Sequence, residues 1–195
     1  MPARVNNEPD SEDKKMRKLF AAAALAAMCT AAAPAAQAQL PVGYTDIGVV
    51  LGLGNIGDAG IAPGVRFEKI IKDLPDLGGR TLGIQVGAGY YSYGNKVAVV
   101  DWDVTYIPIG ATANYHFKFE NEKLDAFVGA GLGYQIINCS YNSPYTGSID
   151  YCSNSSLYFI GRIGGRYFFS PKTAFYADAG AGDATLNVGL SFKLR

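Results

Sequence analysis

The sequence predicts an all-β protein, an eight-stranded antiparallel up-and-down transmembrane β-barrel, and three observations lead to it. Eight segments after residue 38 alternate apolar and polar residues with a period of two, which is typical of strands with two unlike faces. No segment of helical length separates them, so the strands are expected to pair antiparallel. Glycine is abundant at 24 residues, and charged residues make up only 17% of the chain, against about 25% in soluble domains.

The N-terminal 38 residues have the pattern of an export signal. A basic patch at residues 14–18 precedes an alanine-rich apolar run at residues 19–33, and the small-x-small tripeptide Ala36–Ala38 follows. This order predicts a secretory signal peptide that is cleaved after Ala38. Residues 1–15 are acidic, which is unusual ahead of a signal. We therefore expect translation to start at Met16, the alternative being a long but functional signal.

The eight predicted strands fill the mature chain, residues 39–195. The last is the clearest, because its even positions from Leu186 to Leu194 are apolar and its odd positions are polar or small. In chain order the strands are residues 46–53, 61–68, 81–90, 107–117, 126–136, 157–169, 173–180 and 184–195. The breaks between them are rich in Gly, Pro, Asn, Asp and Ser, and they are residues 55–59, 72–79, 92–96, 120–124, 140–155, 170–172 and 180–183. An even number of strands of roughly 9–11 residues is typical of a bacterial outer-membrane barrel.

The composition of the two faces separates a membrane barrel from a soluble, lipocalin-like one. The polar face is mostly Gly, Thr, Asn, Gln and Ser, which suits the tight interior of an eight-stranded barrel better than a water-exposed surface. Aromatic residues cluster at one end of the apolar face, as in the girdle at a membrane interface. With the N-terminus on the periplasmic side, this periplasmic aromatic girdle consists of Phe67, Tyr115, Phe117, Tyr167, Phe169, Phe175 and Phe192.

The longest break, Ser140–Ser155, is predicted as an extracellular loop closed by a disulfide. Cys139 and Cys152 flank it and are the only cysteines after signal removal, in an oxidising compartment. The enclosed segment is polar and rich in tyrosine, which favours contact with a surface ligand. Cys29 would serve as a lipoprotein anchor only if small residues preceded it, and Met28 disfavours that alternative.

Six charged residues fall on the inward face, where an unpaired charge is costly. The expected arrangement is a salt-bridged polar core that fills the barrel, with an ion path gated by these groups as the alternative. The predicted lumen charge network consists of Asp46, Arg66, Glu68, Arg162, Arg166 and Asp178.

Catalysis has little support in the sequence. His116 is the only histidine, and no serine accompanies it on its strand in the way that a hydrolase requires. We interpret His116 as a hydrogen-bonding lumen residue. The glycine-rich segments at residues 52–54 and 129–133 lie within strands and are not followed by a helix, so they do not form a phosphate-binding loop. No cofactor or metal is predicted.

Several stretches of the mature chain resemble the small outer-membrane β-barrel family that includes OmpA-, OmpX- and Opa-type domains. They are Ile107–Phe117, Phe127–Tyr134 and the closing Leu186–Leu194. The resemblance implies a cell outer membrane location, contact with outer-membrane lipid and lipopolysaccharide, and insertion by the barrel assembly machinery. Such barrels commonly end on an aromatic residue, whereas here Phe192 is followed by three further residues.

The predicted function is that of an integral outer-membrane protein with a structural or surface-interaction role, in which the loops contact host, protein or lipopolysaccharide and no reaction is catalysed. A narrow porin-like transport barrel for small solutes is the alternative. A barrel enzyme that modifies lipid A is a weaker one. Nucleic acid is not an expected partner, given the formal net charge of zero.

Overall fold

The computed structural model describes residues 40–77, 80–97, 100–143, 147–149 and 154–194. Within these ranges the strands are β1 (Thr45–Leu53), β2 (Ala62–Leu74), β3 (Arg80–Gly89), β4 (Tyr91–Val97), β5 (Val100–Phe117), β6 (Leu124–Ser143), β7 (Gly147–Ile149), β8 (Asn154–Phe168), β9 (Thr173–Ala181) and β10 (Leu186–Lys193). Two short 3-10 turns occupy Gly57–Ala59 and Pro75–Leu77. The predicted signal peptide lies outside the described residues.

The strands close into a barrel. All pairings are antiparallel, and β1 closes the ring by pairing with β10 from Asp46↔Lys193 to Leu53↔Leu186. Because β3 and β4 pair along β5 in one continuous register, they count as a single wall strand. β7 and β8 likewise lie along the same side of β6, with the register shifted by one residue between them, and count as one wall strand. The described part of the chain thus has eight wall strands, which confirms the predicted fold class.

The two faces of the wall have the polarity that the alternation predicts. Asp46, Arg66 and Glu68 point inward and are almost fully buried. Large apolar side chains on the same strands point outward, and a folded protein in water rarely exposes so many together. This outer apolar belt, with exposures between 38% and 66%, consists of Ile47, Val49, Leu51, Val65, Phe67, Ile84, Val86, Ile109, Val128, Leu132, Tyr134 and Ile163.

Two predicted breaks are partly strand, and this corrects the sequence interpretation. Residues 92–96 belong to β4, which pairs with the first part of β5 from Tyr91↔Tyr106 to Val97↔Val100. The predicted loop Ser140–Ser155 contains the end of β6, which pairs with β7. Above the rim of the barrel, the outer parts of β5 and β6 therefore form a four-stranded protruding sheet with β4 and β7. Ser, Gly and Asn in these segments misled the prediction because they are typical of turns.

The two ends of the barrel differ. At one, which we call the turn end, short segments connect β2 to β3, β5 to β6 and β8 to β9. The protruding sheet rises from the other, the hairpin end.

β2 is longer than predicted and continues to Leu74 past an irregularity at Ile70/Lys72.

Apolar side chains close the barrel at both ends. Five buried residues pack together at the turn end, where the backbone of Gly43 donates to Ile70 at 2.9 Å; they are Leu40, Tyr44, Ile70, Phe168 and Ala174. The β1–β2 and β9–β10 connections are joined at the hairpin end, and the buried residues there are Ile56, Ala62, Tyr91 and Ala184.

Candidate functional site

The inward charges form two groups inside the barrel. We call the group near the turn end the lower cluster, and it consists of Asp46, Arg66, Glu68, His116, Asp125 and Arg166. We call the group near the hairpin end the upper cluster, and it consists of Arg162, Asp178 and Asp183. Strand register explains the spacing of the first group, because Asp46 lies opposite Glu68 and Arg66 lies opposite Gly48. Since Gly48 has no side chain, the aliphatic part of Arg66 fits against its backbone.

Two arginines neutralise the carboxylates of the lower cluster. Arg66 Nη1 and Asp46 Oδ1 are 2.9 Å apart, and the Arg166 guanidinium contacts Asp46 Oδ2 at 3.1 Å and Asp125 Oδ2 at 2.9 Å. Arg166 also forms an ion pair with Glu68. Ser191 Oγ donates a hydrogen bond of 2.7 Å to Asp46. These side chains lie away from water, where charges persist only when they are paired and hydrogen-bonded.

His116 completes the lower cluster from β5. Its Nδ1 is 2.8 Å from Asp125 Oδ1, and its Nε2 is 3.1 Å from Glu68 Oε1. Both ring nitrogens therefore lie within hydrogen-bonding distance of a carboxylate. Asn114 Nδ2 donates to the same Glu68 oxygen at 2.7 Å. No described hydroxyl contacts the ring as a catalytic serine would, and the ring instead links two buried carboxylates.

The upper cluster has fewer positive charges than negative ones. Arg162 pairs with Asp178 at 3.0 Å and with Asp183 at 2.8 Å. Asp178 also accepts hydrogen bonds from Tyr176 Oη at 2.5 Å and from Asn187 Nδ2 at 3.0 Å. Asp183, on the β9–β10 connection, is the most exposed member, with 28% of its side-chain surface accessible.

Tyr44 stands between the lower cluster and the turn end. Its hydroxyl donates to Asp46 Oδ2 at 3.3 Å, and the Lys193 ammonium lies 5.5 Å from the centre of its ring. Burial, with a contribution from the Asp46 carboxylate, raises the pKa of this phenol above its ordinary value. Tyr44 is therefore a neutral donor that closes the lumen.

Side chains fill the barrel and leave one small cavity between the two clusters. It measures about 80 Å³ and is lined by residues that include Arg66, Gln85, Thr112 and Asp178. The buried hydroxyl oxygen of Thr112 has no hydrogen-bond partner in the described chain. A space of this size accommodates a few water molecules. On the turn-end side it is bounded by Arg66 of the lower cluster, and on the hairpin-end side it reaches Asp183 of the upper cluster.

The residues predicted as an aromatic girdle lie on or beside the strands near the turn end. Phe67 and Phe192 flank Ile47 on the two neighbours of β1. Tyr167 lies opposite Phe175 in the β8–β9 ladder. Two further contacts link neighbouring rings, namely Tyr115 with Phe117 at 5.3 Å and Phe169 with Phe175 at 4.7 Å.

The sequence interpretation missed several residues that point into the lumen. Asp125 was not included in the predicted charge network because it adjoins the 120–124 break, and Asp183 because it lies in a break. Phe127 is also inward and almost fully buried, at 2% exposure. Cys139 is buried on β6, whereas Cys152 lies outside the described residues, so their disulfide stays a prediction.

The described residues contain no group of three or more His, Cys, Asp or Glu side chains placed to hold a metal ion. Among them there is also no helix of the length and apolarity needed to span a membrane.

Comparisons with known proteins give fold-level likenesses only. No family model and no curated protein matches the sequence. Among solved structures, the attachment invasion locus protein Ail of Yersinia pestis is 14% identical, with a TM-score of 0.47 over 78% of this chain and 96% of Ail. Neisserial surface protein A is 19% identical, with a TM-score of 0.44 over 77% and 93%. The N-terminal β-barrel domain of Pseudomonas aeruginosa OprF is 17% identical, with a TM-score of 0.44 over 78% and 98%.

Proposed function

We propose that the mature chain is an integral outer-membrane barrel with a sealed lumen, and that its protruding sheet contacts a partner at the cell surface. The observation that carries this proposal is the inverted polarity of the wall. Ionised groups such as Glu68 and Arg166 are buried inside, whereas residues such as Val49 and Ile163 are exposed outside. Water disfavours that distribution, and a lipid bilayer favours it.

The orientation follows from the asymmetry of the ends. Outer-membrane barrels have short periplasmic turns and longer extracellular segments, so the turn end faces the periplasm. The aromatic residues near that end then lie at the inner interface. In this arrangement the N-terminal signal is removed after Ala38, and the Cys139–Cys152 disulfide forms outside the membrane.

The edges of the protruding sheet support the surface-interaction role. Among the described residues, β4 pairs only with β5 and β7 only with β6, so each leaves a row of backbone groups unpaired. Such an edge accepts an extended segment of another protein as an additional strand. The partner class is therefore a protein at the cell surface.

A heat-modifiable gel shift in outer-membrane fractions tests the first part of the proposal. A folded barrel keeps its compact mobility in SDS until it is boiled, and the protein is expected to be found in that form with the outer membrane. A thiol count on the unboiled protein tests the disulfide, and two reactive thiols would exclude it. Recovery of the protein in the soluble periplasm would overturn the membrane assignment.

A shortened hairpin tests the surface role. Residues 93–104 are replaced by Asn-Gly, a two-residue turn that joins the paired Ser92 and Thr105 directly. The barrel should still fold, as judged by its gel shift, and binding of intact cells to immobilised host-surface proteins should fall. Equal binding by the wild type and the shortened variant would refute a role for this sheet.

Planar bilayers separate this function from the transport alternative. Because both ends of the lumen are closed by buried apolar residues, the reconstituted protein is expected to give no stable single-channel current. Steady current steps, or swelling of liposomes in small sugars, would favour the narrow porin-like barrel instead.

A further inference from the structure

A second pocket lies at the hairpin end, above the upper cluster. It measures about 290 Å³ and is partly open to solvent. Its walls come from the β1–β2 and β9–β10 connections and from four strands. The lining residues are Asn55, Gly57, Tyr91, Tyr93, Tyr106, Gln135, Tyr158, Gly182 and Asp183. This outer pocket shares Asp183 with the upper cluster and Tyr93 with the protruding sheet.

Four of the nine lining residues are tyrosines, and three of these rings stack in a row. Tyr91 and Tyr106 are stacked with their centres 4.8 Å apart, and Tyr93 stacks on Tyr106 at 5.6 Å. Hydrogen bonds fix the rings, since Gln135 Nε2 donates to the Tyr91 hydroxyl at 2.8 Å and the hydroxyls of Tyr93 and Tyr106 are 3.0 Å apart. The aromatic surface is therefore held in place before any ligand arrives.

The loops that complete the pocket are also fixed. The Thr185 backbone N–H lies 3.1 Å from both the Leu53 and the Gly54 carbonyl oxygens, and Asn55 Nδ2 donates to the Gly182 carbonyl at 3.4 Å. Asn55 has a φ of 57°, a left-handed conformation that asparagine tolerates better than most residues. A preformed site loses less entropy on binding than a flexible one.

The charge in the pocket is negative. Arg162 is shared between Asp178 and Asp183, so the upper cluster carries one more negative than positive charge. Arg66, the other arginine near the adjoining cavity, is already paired with Asp46 and Glu68. Asp183 Oδ1 accepts from Arg162, and no described side chain donates to its other carboxylate oxygen.

We propose that the outer pocket binds an organic ammonium group, with Asp183 as its counter-ion and the tyrosine rings as its walls. Aromatic rings attract cations through their quadrupole, and cages of such rings are a recurrent solution for quaternary ammonium groups. The excess carboxylate of the upper cluster adds a full charge. A volume of about 290 Å³ admits a small head group and excludes a folded partner.

The test uses choline as the probe and 3,3-dimethylbutan-1-ol, its neutral isostere, as the matched ligand control. The refolded barrel is titrated calorimetrically in an oligo-oxyethylene detergent, because detergents with choline or amine-oxide head groups would compete. Choline should bind saturably and about tenfold or more tightly than the neutral isostere, the discrimination expected from a cation beside a carboxylate and aromatic rings. Ethanolamine and spermidine, titrated in the same way, tell whether a quaternary or a primary ammonium fits better.

Substitutions of Asp183 and Tyr158, each compared with a control variant, locate the site. Asp183→Asn should weaken choline binding about tenfold, whereas Asp58→Asn, in the exposed 3-10 turn nearby, should leave it unchanged. Tyr158→Leu should also weaken it, while Tyr158→Phe should retain most of the affinity, because the ring is kept. A gel shift confirms that each variant folds. Equal binding of choline and its isostere, no saturable binding, or full affinity in Asp183→Asn would overturn the proposal.

Discussion

Replacing Arg166 with methionine should destabilise the barrel more than any other single change in the lower cluster. The guanidinium is fully buried and contacts Asp46, Glu68 and Asp125. Methionine fills similar space without the charge, so three carboxylates remain with only Arg66 and His116 near them. Breaking a buried ion pair by removing one partner costs about 3–5 kcal/mol, and we expect a loss of that size in the free energy of unfolding.

The measurement is denaturant unfolding in phospholipid vesicles. Trp102, the single tryptophan of the chain, reports the transition by fluorescence, and the gel shift gives an independent readout. Arg80→Met is the matched control, because Arg80 donates to the Tyr115 hydroxyl at 3.0 Å and has no carboxylate partner in the described chain. The free energy of unfolding of Arg80→Met should fall by about 1 kcal/mol or less, the value of an exposed cation–π contact.

A double variant separates charge from packing. Arg166→Met combined with Asp125→Asn restores the charge balance of the lower cluster, so the combined loss should fall short of the sum of the single losses by about 0.5–3 kcal/mol. Strict additivity would refute the account, and so would an Arg166→Met variant no less stable than the Arg80→Met control.

Three further predictions concern the wall. Gly131→Ala should impair folding, because its new methyl group would overlap a backbone carbonyl of β5, whereas Gly161→Ala, which meets nothing within 4 Å, should fold normally in the same gel-shift assay. Ile163→Arg should lower stability in vesicles by about 2–4 kcal/mol, as for arginine on the lipid face; a change below about 0.5 kcal/mol would indicate a surface in water. Ser191→Ala removes the 2.7 Å hydrogen bond to Asp46 and should cost about 1.5–3 kcal/mol in the same unfolding experiment.

The wall of the barrel was predictable because its unlike inner and outer faces impose a period of two. In β1, for example, Asp46 and Ile47 have opposite environments, and one residue of register shift would exchange them. In the protruding sheet, beyond the rim of the barrel, that constraint ends. β4 and the end of β6 are rich in polar and glycine residues, which were interpreted as turns although backbone pairing continues through them.

The lumen charges were only partly predictable from the sequence. Period two indicates that Arg66 and Arg166 point inward, but not which carboxylate each one meets across the barrel. Those contacts depend on the register of strands far apart in the chain, as Ser191 and Asp46 illustrate. No sequence pattern indicates the outer pocket, because Tyr91, Tyr106 and Tyr158 come together only when β4, β5 and β8 have assembled.

The lower cluster also bears on how the protein is assembled. Its members come from β1, β2, β5, β6 and β8, and Ser191 joins it from β10 across the seam where the ring closes. A sheet that entered lipid before closing would turn Asp46, Glu68 and Arg166 toward hydrocarbon, at a cost of several kcal/mol for each charge. The charged groups that stabilise the closed barrel therefore destabilise a partly closed sheet in lipid. Insertion into the membrane and closure of the barrel should therefore proceed as one concerted event. The charged interior favours insertion only when β10 has paired with β1.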